Sequence, residues 1–222
     1  MTNKRASYIR SAMRILRRMS PASFGAEVHR YLLKPPLSAE EVSGFERRYH
    51  ITLPDDYRWF ITTVANGGAG PYYGLFPLGE INFLGYGQHP WKENDSYVGR
   101  LSAQFPWPNV SGTLRQAIGG APNVSIRPTD LSTENDDGDS REQVDGAIPI
   151  YHMGCGYYVW LVVTGPEAGF LWEDYRASDE GFMPASLYGR RVTFLEYYDR
   201  WLHRSLGFFL RIVAHLISRR DS

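Results

Sequence analysis

The chain has 222 residues, 43% of them apolar and 22% charged, which is enough to bury one ordinary core. Lysine plus arginine and aspartate plus glutamate balance at 24 each, so the whole molecule lacks the field of an electrostatic nucleic-acid binder. A single cysteine, Cys155, excludes an internal disulfide, and the basic start lacks a continuous apolar core after it; a cytoplasmic protein without a secretory signal is expected.

Residues 7–19 predict an amphipathic helix, with Ile9, Met13 and Leu16 on one stripe and Arg10, Arg14, Arg17 and Arg18 on another face. Pro21 ends it, and Pro35 and Pro36 make "LLKPPLS" a linker. Ser38 and Glu41 form a capping-box pattern, with Leu37 and Val42 placed as a staple. Val42, Phe45 and Tyr49 then face inward. Pro54 suits the first turn of a second helix, in which Tyr57, Phe60, Ile61 and Val64 repeat at helical spacing. That helix is expected to end at Asn66–Gly67.

Short strands and turns follow in "YYGLFPLGEINFLGYG", and residues 88–145 read as irregular. "GAIPIYHM" is a strand, "YYVWLVVTG" a central strand buried on both faces, and "GFLWEDYR" its hairpin mate. Thr193 and Glu196 repeat the capping-box pattern ahead of Phe194, Tyr197, Tyr198 and Trp201. A further amphipathic helix is expected after Gly207; its apolar run carries Arg211 and His215 and is too short to span a bilayer. Helices, then strands, then helix predict an α+β fold, with a largely antiparallel sheet covered on one side by helices.

Charge is unevenly placed. In residues 1–34 eight basic side chains oppose only Glu27; in residues 130–145 seven acids oppose only Arg141. The acidic loop suits either a basic partner or simple solvation. The basic terminal helices suit either an anionic lipid surface or packing on the body, and packing is preferred because neither is strongly hydrophobic.

The candidate chemistry is thin. A phosphate cradle needs amides at a helix start, whereas the glycines of "NGGAGPYYG" follow a helix end, and no Gly-Lys-Ser/Thr follows them. His152 and Cys155 resemble a nucleophile pair, but residues three apart on a strand face opposite ways; a buried, inert Cys155 beside a surface His152 is expected. Glu173 and Asp174 are adjacent strand residues and make a poor acid/base pair. The six histidines are scattered, one cysteine cannot build a thiolate cage, and a calcium-loop alignment on Gly138 puts Thr133 and Val144 at ligand positions. No cofactor, metal or catalytic residue is expected.

Three stretches in order resemble a known family. "LSAEEVSGFERRYHITLPDDYRWFITTVANGGAGPYYGLFPL", "DGAIPIYHMGCGYYVWLVVTGPEAGFLWED" and "TFLEYYDRWL" are similar to the SUKH superfamily in its Smi/Knr-type branch. The first carries Val42, Phe45, Glu46, Leu53, Pro54, Tyr57, Phe60, Asn66, Gly67, Gly68, Gly70, Pro71, Gly74 and Leu75; in the third, Tyr197 stands where Trp is common. The resemblance implies a SUKH-like domain over residues 37–205, preceded by a basic helical extension and linker over 1–36 and followed by a basic amphipathic helix over 206–222. It implies a non-catalytic protein-binding domain, of the kind that neutralises a cognate toxin, or a regulatory scaffold of the cell-wall synthesis type that touches membrane peripherally. On the first reading Asp136, Asp137, Asp139 and Glu142 are expected to attract a basic toxin such as a nuclease, with Tyr72, Tyr73 and Trp91 as anchors.

Overall fold

A computed structural model of the chain describes residues 2–20, 23–83, 87–90, 98–107, 142–178 and 180–218. Among them are five α-helices: α1 Asn3–Met19, α2 Ala26–His29, α3 Ala39–Tyr49, α4 Asp55–Thr63 and α5 Phe194–Ser218. The central sheet has four antiparallel strands in sequential order, β3 Ala147–Gly154, β4 Tyr157–Val162, β5 Leu171–Asp174 and β6 Phe182–Pro184. Two hairpins flank it in sequence, β1 Glu80–Phe83 with β2 Gly87–Pro90, and β7 Ser186–Leu187 with β8 Arg190–Arg191. The fold is α+β.

Period-2 alternation divides the sheet between two cores. Ile148, Ile150, Val159, Leu161 and Leu171 face the helices, where they join Ile9, Leu16, Val42, Phe60, Ile61, Phe194 and Tyr198. Trp160, Val162, Trp172 and Phe182 face the other way, against Phe76, Phe105, Trp107 and Val144. Helices cover one face, and the segment carrying Phe105 and Trp107 covers the other. This is why β4 reads as an unbroken apolar run: it lies inside the sheet with both faces buried.

The expected capping box is present at α3. Ser38 N–H donates to Glu41 Oε2 at 2.7 Å, and Glu41 N–H donates to Ser38 Oγ at 3.2 Å. Glu46 fastens the turn that follows: it accepts Leu53 N–H at 3.0 Å and pairs with Arg58 at 3.3 Å. At α5 only half of the expected box forms. Thr193 N–H donates to Glu196 Oε2 at 3.0 Å, while Asp56 on α4 accepts the Leu195 amide, also at 3.0 Å. That carboxylate sits at the positive end of α5 and ties the two helices together.

Several boundaries differ from expectation. α1 begins at Asn3, a turn earlier than expected, and packs through Ile9 and Leu16, both fully buried. α4 stops at Thr63, because the Val64 and Ala65 amides both donate to Phe60 O and Asn66 turns away to donate to Pro35 O. The short α2 was not foreseen. The predicted break at Gly207 is absent: α5 runs through it, since a glycine inside a helix costs only about 1 kcal/mol. The 34–37 linker is fastened to the body by Lys34 N–H to Gly67 O at 3.1 Å and Leu37 N–H to Ile61 O at 2.9 Å.

Candidate protein-interaction surface

The turn after α4 is built of close backbone approaches. Leu33 bridges Gly68, Gly68 bridges Leu75, and Leu75 bridges Tyr151 at the edge of β3, so the sheet continues outward as single-residue rungs. Gly68 has φ +97°, and a Cβ there would lie 2.3 Å from Leu32 O; Gly74 has φ +103°, and a Cβ there would lie 2.5 Å from Gly68 O. Only glycine fits either place. The amides are spent in the same rungs: Gly68 N–H on Leu75 O, Ala69 N–H on Leu32 O, Gly74 N–H on Pro71 O and Leu75 N–H on Gly68 O. These four amides are closed to a phosphate, and the glycines serve as a turn into the sheet.

The turn presents the two tyrosines in different ways. Tyr72, at φ +53°, lies half-buried with its hydroxyl 2.9 Å from that of Tyr197. Tyr197 in turn donates to Glu173 Oε1 at 3.2 Å, and Tyr175 donates to Glu173 Oε2 at 3.0 Å. Burial raises the Tyr72, Tyr175 and Tyr197 pKa above the usual phenol range, and Glu173 pushes all three the same way, so the hydroxyls keep their protons. Tyr73 makes ring contacts instead, with Phe24 at 5.1 Å and His152 at 5.8 Å. Phe24 is 63% exposed and also touches the edge of Tyr72. Phe24, Tyr72 and Tyr73 thus form one outward aromatic patch beside the 154–156 turn.

His152 and Cys155 exchange their expected places. His152 is buried, packed on Tyr158 at 4.8 Å, and burial lowers its pKa; its Nδ1 has no hydrogen-bond partner. Cys155 is exposed at the tip of the tight turn, at φ +52° between Gly154 and Gly156. The turn pushes the cysteine out, and the sheet face takes the histidine in. No hydrogen bond joins the two side chains. Glu173 and Asp174 do face opposite ways, as the alternation predicts. Asp174 is buried and accepts Trp160 Nε1–H at 3.1 Å and the Arg176 guanidinium at 2.7 Å. Both carboxylates are committed to structure.

Among the described residues no three His, Cys, Asp or Glu side chains gather as metal ligands. No described helix is long and apolar enough to cross a membrane. Of the expected partner-binding residues, Tyr72 and Tyr73 fall together in the patch. Trp91, Asp136, Asp137 and Asp139 lie outside the described residues, and Glu142 opens a short 3-10 turn, Glu142–Val144. Sequence reasoning missed Phe24, Glu173 and Tyr197 as neighbours of Tyr72. The 125-residue separation of Tyr72 and Tyr197 leaves no local signal for that contact.

A family model described as SMI1 / KNR4 family (SUKH-1) matches residues 36–183, about two-thirds of the chain. The chain belongs to this family. The matched span holds α3, α4, the glycine turn and the sheet into β6, while α1, α2 and α5 lie outside it. Neither a curated protein nor a solved structure matches the chain. The SUKH family includes toxin-immunity proteins and is generally non-catalytic.

Proposed function

We propose that this SUKH-1 protein is a non-catalytic immunity protein of the cytosol, which binds a cognate toxin and blocks it by occlusion. Membership of the family over residues 36–183 carries this proposal. The patch of Phe24, Tyr72 and Tyr73 supplies aromatic anchors of the type that dominates protein interfaces. Asp136, Asp137, Asp139 and Glu142, within the acidic stretch, draw in a basic surface such as that of a nuclease and raise the association rate.

Stopped-flow binding to the toxin tests the two parts separately. Replacing the four acids with Ser is expected to slow association and flatten its dependence on salt, while dissociation changes little. Tyr73→Ala is expected to speed dissociation instead. Association that is equally fast and equally salt-dependent without the acids would refute the electrostatic part.

A further inference from the structure

The arginines in the first half of α5 are not explained by packing. A groove of about 1090 Å³ runs between α5 and the β7–β8 hairpin, with the stacked rings of Tyr31 and Trp201 at one side. This exceeds the usual small-molecule pocket and suits a stretch of polypeptide. Four guanidinium groups line it: Arg190, Arg191, Arg200 and Arg204. Arg191 is already committed, paired with the buried Glu167 and stacked on Trp172 at 5.0 Å. The other three have no ion pair among the described residues. Arg200 lies over the ring of Tyr188 at 4.9 Å, and its Nη1 is buried without a hydrogen-bond acceptor. Tyr188 itself is 91% exposed.

The two acids in the groove offset this charge only in part. Glu196 accepts the Thr193 amide, and Asp199 is paired with Arg5 from α1. The groove is therefore lined by three guanidinium groups without an ion pair among the described residues, together with an exposed tyrosine and two carboxylates. A guanidinium fork matches a carboxylate in two parallel hydrogen bonds. A phosphodiester strand carries an unbroken row of charge that Glu196 and Asp199 would repel. A peptide spaces its carboxylates and offers amide N–H groups to those two acids.

We propose that this groove is a second binding site of the protein, and that it takes an acidic, extended polypeptide segment. Arg190, Arg200 and Arg204 receive its carboxylates, and Tyr188 packs along its chain. The site is distinct in sign from the acidic stretch at residues 130–145 and stands whether or not a toxin is the protein's principal partner.

Fluorescence anisotropy with the full chain tests the site without any toxin. The probe is a fluorescein-labelled peptide of alternating Glu and Gly, with the Gln-for-Glu peptide as control. The acidic peptide is expected to bind and the Gln peptide to bind at least about tenfold more weakly. The R190Q/R200Q/R204Q variant, shown folded by its circular dichroism and melting, should lose about tenfold or more in affinity. The R10Q/R14Q/R17Q variant on α1 removes the same charge and should bind as the parent does. Three outcomes would overturn the site: no binding of the acidic peptide, equal loss in both triple variants, or displacement of the peptide by a single-stranded oligonucleotide that binds more tightly.

Discussion

The glycine turn and the arginine groove lie at opposite extremes of polar satisfaction. In the turn at 66–75, the amides of Gly68, Ala69, Gly74 and Leu75 each reach a backbone carbonyl, and a side chain at Gly68 or Gly74 would collide with backbone. In the groove, the guanidinium groups of Arg190, Arg200 and Arg204 have no ion pair among the described residues, and Arg200 has a buried, unpartnered nitrogen. The turn has the eye-catching motif, with these four amides spent inside it. The groove has no motif and three guanidinium groups without an ion pair among the described residues. A glycine-rich signature can record how closely two chain segments must approach, whereas a ligand site shows itself through polar groups that the fold leaves unanswered.

Substitutions can break this comparison at either end. The largest effect is expected at Gly68: Gly68→Ala forces a Cβ to 2.3 Å from Leu32 O at a positive φ, and should cost about 4 kcal/mol from strain and overpacking together. Urea unfolding measures this, and a loss below about 1 kcal/mol would show that the turn yields to a side chain. Next is Arg191, the one of the four groove arginines with an ion pair among the described residues. Arg191→Met leaves Glu167, 1% exposed, without its cation and should cost about 3 kcal/mol, whereas Arg200→Gln in the same groove should stay within about 0.5 kcal/mol. Equal costs at the two positions would erase the distinction between a structural and a free arginine.

A smaller, pH-dependent effect is expected at His29, which packs between the turn and α5. Its Nδ1 accepts the Tyr31 amide at 3.0 Å, its Nε2 is buried without a partner, and its ring stands edge-on to Trp201. Burial pushes its pKa down from 6.5 to about 4, against the opposing pull of Glu27. The unfolded chain therefore takes up a proton that the folded chain refuses. Stability should fall as pH drops from 6.5 toward 4, by up to about 3 kcal/mol, and this contribution stops changing below pH 4. His29→Asn keeps an acceptor for the Tyr31 amide and should flatten that slope; an unchanged slope would place the titration elsewhere.

Much of the body was legible because its signals are local. The Ser38/Glu41 box, the 3.6-residue stripe of α4 and the two-faced burial of β4 each depend on neighbours within one element. The misreadings come where distant segments decide. Asn66 leaves α4 early because Pro35 and Leu78 claim its polar groups, and α5 takes its second amide acceptor from Asp56 on another helix. His152 and Cys155 exchanged burial because a three-residue turn with positive φ throughout overrides simple strand alternation. In the candidate patch, Tyr72 and Tyr73 could be chosen as aromatics in a turn, but their link to Tyr197 and Glu173 spans the chain. The groove was hidden for the same reason. Arg200 and Arg204 show their i, i+4 spacing plainly, yet nothing in the sequence sets the Tyr188–Arg191 hairpin beside them.

The central claim, a binding protein that neutralises by occlusion, is tested most directly by titrating the chain into a candidate toxin while following the toxin's own activity. Inhibition should saturate at one chain per toxin, and the Tyr72→Ala/Tyr73→Ala variant, confirmed as folded, should need more protein to reach the same inhibition. Full toxin activity in the presence of excess folded chain would contradict it.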